Sequence, residues 1–158
     1  MTPKLTTENG ELTTQPNVLQ AVPFLMISNM EASLRFYIDG LGFQRTKKWT
    51  VDGKIRWCWL QLGGAALMLQ EYRADSPLRT AKLGEGVSIC FQCKDALAIY
   101  HESQSRSLHP TTPFVGNNMW VTILTDPDGY KLDFESPTTV PEETIYTDDM
   151  KLSTPTQK

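Results

Sequence analysis

Val22-Pro23-Phe24-Leu25-Met26-Ile27-Ser28-Asn29-Met30-Glu31-Ala32-Ser33-Leu34-Arg35-Phe36-Tyr37 is the stretch on which the fold turns. Val22 to Ile27 is an apolar run around a single proline, the pattern of a strand buried on both faces, with Pro23 at its start or on an edge. Asn29 carries a side chain suited to capping a helix. Met30, Leu34, Tyr37 and Leu41 then recur at helical spacing and would face a sheet, until Gly40 and Gly42 stop the helix. Beyond it, Arg45 to Thr50 reads as a strand and Val51-Asp52-Gly53-Lys54 as a hairpin turn. Ile55 to Leu62 and Ala65 to Glu71 are two further strands, divided by Gly63-Gly64.

The same order then recurs. After a connecting loop from Arg73 to Glu85, Val87 to Cys93 alternates like a strand, and Asp95 caps a second helix with Leu97, Tyr100 and Leu108 as sheet-facing candidates. Met119 to Thr125 is a strand, Asp126-Pro127-Asp128-Gly129 a strong turn, and Tyr130 to Glu135 the last strand. Two tandem βαβββ modules, about 20–72 and 86–136, define an α+β fold in which a curved mixed sheet offers a concave ligand cup. Residues 1–19 are polar and Thr-rich and read as a disordered tail, residues 20–137 as the folded domain, and residues 138–158, with Pro141 and Pro155, as a loosely ordered extension.

The chain has 158 residues, 40% apolar and 21% charged, with a net charge of −3. These values fit one ordinary globular domain. No basic stripe marks a nucleic-acid partner, and no apolar run reaches the ~20 residues that span a bilayer. The N-terminal residues lack the basic start and apolar core of a signal peptide. The three cysteines, Cys58, Cys90 and Cys93, are an odd number, so a reducing cytoplasm is the expected location. Cys90 and Cys93 lie three apart on a strand and would point to opposite faces, unlike a redox pair at a helix N-terminus. His101, on the second helix, would face solvent, and His109 lies in the loop that follows.

Alternation proposes the cup-facing side chains. These are Val22, Phe24 and Met26 on the first strand, and Leu67, Leu69 and Glu71 on the fourth. In the second module they are Ser88, Cys90 and Gln92, with Lys131, Asp133 and Glu135. Trp57 and Trp59 share one face, placed inward, and Trp120 is a further candidate. Such an aromatic cavity with a few carboxylates suits a small organic molecule, with Trp faces to stack on a planar or cationic guest. Phe24, Met26, Trp57, Trp59, Leu69, Glu71, Ser88, Trp120 and Asp133 are thus the candidate ligand-binding residues, and Glu71 is the candidate base.

Read in order, the strings Ile27 to Tyr37, Leu41-Gly42-Phe43, Leu62 to Glu71 and Asp126 to Tyr130 resemble the vicinal oxygen chelate superfamily. That family includes glyoxalase I, extradiol dioxygenases and bleomycin- and fosfomycin-resistance proteins. The resemblance implies four metal-ligand positions, two per module. The first-strand positions fall seven residues before each helix cap, at Val22 and Ser88, and the last-strand positions at Glu71 and Asp133. Val22 offers no donor and Ser88 a poor one, so Glu71 and Asp133 are the only metal candidates. Two carboxylates suit at most a weakly held hard cation, so no cofactor is expected beyond such a divalent ion.

Three readings follow. The first is a small-molecule-binding protein of the bleomycin-resistance type, without a tightly bound transition metal and, as the resemblance implies, a homodimer. The second is a divalent-metal-dependent lyase, isomerase or dioxygenase of the glyoxalase type using Glu71 and Asp133. The third is a non-catalytic dimeric domain whose cup is filled by its own side chains or by residues 138–158.

Overall fold

The computed structural model describes residues 16–153. It consists of two βαβββ modules. The first is β1 (Phe24–Ile27), α1 (Met30–Leu34), β2 (Gln44–Val51), β3 (Lys54–Leu62) and β4 (Ala65–Glu71). The second is β5 (Ser88–Gln92), α2 (Ala96–Ser105), β6 (Phe114–Gly116), β7 (Met119–Thr125) and β8 (Lys131–Pro137). Each module forms a four-stranded mixed sheet, ordered β1-β4-β3-β2 and β5-β8-β7-β6. In both, the first strand runs parallel to the last and the other pairs are antiparallel. The α+β class and the internal repeat read from the sequence are both present.

The helices start alike because the same amides are satisfied in the same way. Asn29 accepts from the Ala32 amide at 2.9 Å, and Asp95 from the Ala98 amide at 2.9 Å. A second acceptor comes from the end of the last strand. Glu71 Oε2 takes the Met30 amide at 2.8 Å, and Ser136 Oγ takes the Ala96 amide at 2.9 Å. Each helix thereby has two of its orphan N-terminal donors paired and its first turn tied to its sheet. α1 continues as a π-helical stretch from Arg35 to Gly40. The wider turn moves the buried side to Met30, Ser33, Phe36 and Tyr37, leaving Leu34 and Leu41 half-buried rather than central. The Asp52-Gly53 hairpin forms as read, both residues having positive φ (50° and 74°).

Strand register divides each sheet into two faces. Leu25, Ile27, Leu67, Leu69, Cys58 and Leu60 point to the helix side and are buried. Leu124, Leu132 and Phe134 do the same in the second sheet, and one apolar core joins the two modules. Polar contacts lock that junction. Tyr37 donates its hydroxyl to Asp126 Oδ2 at 2.8 Å, deep in the core, while Asp126 Oδ1 accepts the amides of Asp128 and Tyr130 at 2.9 Å each. Tyr130 donates its hydroxyl to the Met26 carbonyl, and the Ser28 amide donates to Asp128. The loop before β5 presses on the same turn: a Cβ on Gly84, at φ +77°, would lie 2.4 Å from the Gly129 carbonyl oxygen.

The extension after β8 is not loose between 138 and 150. The Val115 amide donates to the Thr144 carbonyl at 2.9 Å and the Tyr146 amide to Pro113 at 2.9 Å, so this segment borders β6. Tyr146 is buried against Trp120, and its hydroxyl meets His101 Nε2 at 3.0 Å. His101 is accordingly half-buried and engaged, where the helix pattern placed it in solvent. The segment packs on the helix side of the second sheet, so residues 138–150 do not fill the opposite face. Of the two tails, residues 1–15 and 154–158 lie outside the described residues.

Two outcomes test this junction. Gly84→Ala should lower unfolding stability by about 1–3 kcal/mol in urea titrations, because backbone meets backbone. Gly53→Ala, equally left-handed but with open space around it, should cost only its backbone strain, about 1 kcal/mol. Burial holds the Asp126 carboxyl above its ordinary 3.8. The folded state then favours the protonated acid, a contribution complete below the unfolded value and lost as pH rises through the folded value. Relative to wild type, Asp126→Asn should therefore gain stability from the acid side towards neutrality, measured by urea unfolding across a pH series.

Candidate functional site

The faces turned away from the helices differ in chemistry. On the first sheet, Phe24 pairs with Met68 and Met26 with Gln70, while Trp57 lies opposite Gln70 and Trp59 opposite Met68. Trp49 pairs with Trp57, and Lys47 with Trp59, its ammonium 4.9 Å from the ring centroid. The surface is aromatic and open: Phe24 is 51% and Trp49 56% exposed. Trp49 and Gln70 also line a cavity of about 960 Å³ together with Arg56, Tyr72, Arg73 and Arg79. A smaller space of about 560 Å³ adjoins it at Met26 and Gln70. These sizes suit a small organic ligand. A third cavity, about 820 Å³, lies between the β3–β4 hairpin, β5 and α2, lined by Leu62, Ile89, Phe91, Ile99 and Arg106.

On the second sheet the β5–β8 part of the open face is polar, with Val121 and Ile123 of β7 beside it. Ser88 lies opposite Lys131, Cys90 opposite Asp133 and Gln92 opposite Glu135. The Gln92 side chain donates to Glu135 Oε2 at 2.8 Å. Burial, and then the two carboxylates, push the Cys90 thiol upward. Cys93 turns away, its Sγ 3.3 Å from the Glu135 carbonyl, and burial raises it too. Cys58, fully buried, is pushed up to about 11. None of the three has the lowered pKa of a reactive thiol.

The expected residues separate accordingly. Phe24, Met26, Trp57 and Trp59 share the open face of the first sheet, and Ser88 and Asp133 that of the second. Leu69 does not join them: it pairs with Leu25 and Cys58 and is fully buried in the core. Trp120 pairs with Ser136 and packs on the helix side against Val115 and Tyr146. Glu71 is also on the helix side, where it holds the Met30 amide and ion-pairs with Arg56. Both of its oxygens are engaged, so it is neither a free base nor a ligand facing Asp133.

The repeat explains the slip. Phe24 lies five residues before Asn29 and faces Met68, and Cys90 lies five before Asp95 and faces Asp133. Glu71 corresponds instead to Ser136, the other helix-start acceptor. The first-module counterpart of Asp133 is therefore Met68, and the four positions hold Val22, Met68, Ser88 and Asp133. One carboxylate among them does not make a metal centre. Sequence reasoning also missed Trp49, because a bulge between Trp49 and Thr50 shifts the hairpin register and brings it opposite Trp57.

A model of the Glyoxalase/Bleomycin resistance protein/Dioxygenase superfamily matches residues 18–134, and the chain belongs to that superfamily. No curated protein matches it in sequence. Among solved structures it is similar to TnmS3, an antibiotic-binding protein from Streptomyces sp. CB03234. The TM-score is 0.60 at 19% identity, covering 76% of this chain and 98% of that one. A bleomycin-binding protein complexed with bleomycin gives a TM-score of 0.58 at 21% identity, covering 75% and 98%. A glyoxylase/bleomycin resistance protein/dioxygenase domain from Frankia sp. EAN1pec gives 0.62 at 14% identity, covering 80% and 96%.

Removing Glu71 should behave as a structural lesion. Glu71→Ala is expected to lower stability by about 2 kcal/mol, since a charged hydrogen bond to Met30 is lost and half-buried Arg56 left unpaired. Glu71→Gln, which keeps the acceptor, should recover part of it, as read from urea midpoints.

Proposed function

We propose that this protein binds a small organic molecule on the open face of its first sheet, sequestering it rather than transforming it. The observation that supports this reading is the aromatic surface itself. Trp49, Trp57, Trp59 and Phe24 share this face, and Trp49 also lines the cavity of about 960 Å³, whose one lining carboxylate is the engaged Glu71. Large planar side chains held rigidly on strands supply contact area at little entropic cost, and Trp49 and Phe24 expose it. That TnmS3 is an antibiotic-binding protein and another similar structure holds bleomycin supports a small organic guest. A family-type metal centre is not part of the proposal, because three of its four positions carry Val22, Met68 and Ser88. The exposed apolar face also supports a homodimer, and three unpaired cysteines support a cytoplasmic setting. Among the described residues no helix is long and apolar enough to cross a membrane.

Tryptophan fluorescence tests the reading, with bleomycin and a panel of planar aromatic antibiotics as probes. At least one should quench saturably, with affinity about tenfold weaker in Trp57→Leu or Trp59→Leu and unchanged in Trp120→Phe. Equal binding by all three variants, or no saturable response to any probe, would overturn it.

A further inference from the structure

The cavity at the end of the aromatic face carries a charge opposite to that of the chain. The chain has a net charge of −3. Yet the cavity of about 960 Å³ is lined by Arg56, Arg73 and Arg79 against one carboxylate, Glu71. We propose that the guest of this face is an aromatic acid. Its ring system lies on the tryptophans, and its oxyanion, a carboxylate in the simplest case, is held by the Arg79 guanidinium with Arg73 and Arg56 beside it. The inference rests on the aromatic face being the ligand site, and it names the chemistry that the site selects.

The three guanidiniums come from separate places and each is anchored. Arg56 stands on β3, one residue before Trp57, and its Nη1 donates to Glu71. Arg73 and Arg79 belong to the loop after β4, which is tied to itself. The Ser76 amide donates to the Arg73 carbonyl at 2.9 Å, and Ser76 Oγ accepts the Leu78 amide at 3.2 Å where the turn Pro77–Thr80 begins. Arg73 Nε donates to Asp75 at 3.3 Å, and Arg79 Nη1 to the Ala74 carbonyl at 3.0 Å. Each side chain thus commits one nitrogen to the protein and, among the described residues, leaves its other two without an acceptor. A planar fork fixed at one corner and free at the others suits an oxyanion, through charge-assisted hydrogen bonds. Glu71 pairs with Arg56 and Asp75 with Arg73, whereas Arg79 has no carboxylate partner among the described residues. Its charge is the uncompensated one.

Two observations weigh against a cationic guest, the other partner that a tryptophan face can take. The Trp59 ring already carries the Lys47 ammonium, 4.9 Å from its centroid. Phe24, Met26, Met68, Gln70, Trp57 and Trp59, which share the open face, include no acid to pair with a cation. A cation would therefore meet like charge from Lys47 and the arginines, and an anion would be drawn in.

The test uses the full chain and three probes of one shape: naphthoate, neutral naphthamide and naphthylmethylammonium, titrated calorimetrically at neutral pH. The acid should bind at least about tenfold tighter than the amide, and the ammonium most weakly. Raising salt from about 20 mM to about 500 mM should erode the acid's advantage and leave amide binding unchanged. These comparisons need no variant. Arg79→Gln should bring the acid to within about threefold of the amide. Lys131→Gln, which removes the same charge from the second sheet, should leave the preference intact. Acid and amide binding alike in unmutated protein overturns the proposal, as does an acid that fails to bind or a preference that survives Arg79→Gln. If the probes bind alike and weaken together in Trp57→Leu, charge selection falls while the aromatic ligand face stands. An Arg79-dependent preference indifferent to both Trp57→Leu and Trp59→Leu overturns the stacking half, and the aromatic ligand reading with it.

Discussion

The hydrogen bond from Tyr37 to Asp126 sets the geometry on which everything else rests. Asp126 is the first residue of the turn that joins the last two strands, and Tyr37 sits on the helix of the other module. Three donors converge on one buried carboxylate, so the turn is held rigid and docked in the same step. Burial of the pair raises both groups, the Tyr37 hydroxyl through burial and the neighbouring Asp126 charge, so the proton stays on the tyrosine and the bond keeps its direction. Gly129 and Gly84 then need no side chains because two backbones pass through the same space. Moving this turn would shift β7 and β8 relative to β1 and β4, and with them the two open faces.

Much of the fold was legible because its signals are local. The caps Asn29 and Asp95, the Asp52-Gly53 hairpin and the Asp126 to Gly129 turn each state their geometry in two to four residues. The doubling of the order then fixes the topology. The site was less legible, and the reason is parity. A strand's side chains alternate, so an inference anchored on one wrong residue inverts the whole strand. Taking Glu71 as inward-facing drew Leu67 and Leu69 into the cup, although their pairing partners are Leu25 and the core. The same anchor on Asp133 was sound, and there the expected set of Ser88, Cys90, Gln92 and Glu135 emerges on one face. Glu71 misled because a carboxylate at the end of a strand resembles a ligand in sequence, whereas its partners, the Met30 amide and Arg56, are visible only in three dimensions.

Trp120 shows a second limit. Nothing in its own strand distinguishes an inward from an outward face, since β7 has apolar residues on both faces and its two threonines, Thr122 and Thr125, on opposite ones. What decides it is residues 138–150, which lay Tyr146 against the indole and cover the helix side. A segment of low apolar content reads as loose in sequence because composition averages over its length. Backbone bonds along β6 hold it, together with Tyr146 to His101 and Glu142 to the amides of Asn117 and Asn118.

The two modules keep the same backbone pairing while their open faces have diverged. At the strand-pair position where the second module has Cys90 opposite Asp133, the first has Phe24 opposite Met68. At the next inward pair, Gln92 opposite Glu135 becomes Met26 opposite Gln70. The side chains of the two faces differ without disturbing the ladder, because the hydrogen bonds belong to the backbone and the chemistry to the exposed side chains. The helix-start acceptors, by contrast, differ in residue type yet retain their function, Glu71 serving as Ser136 does. Positions that close the fold keep a common physical task across the repeat, and positions on the open faces do not. At Val22 and Met68 the first module carries no donor, and the face beside them carries Trp57 and Trp59 instead.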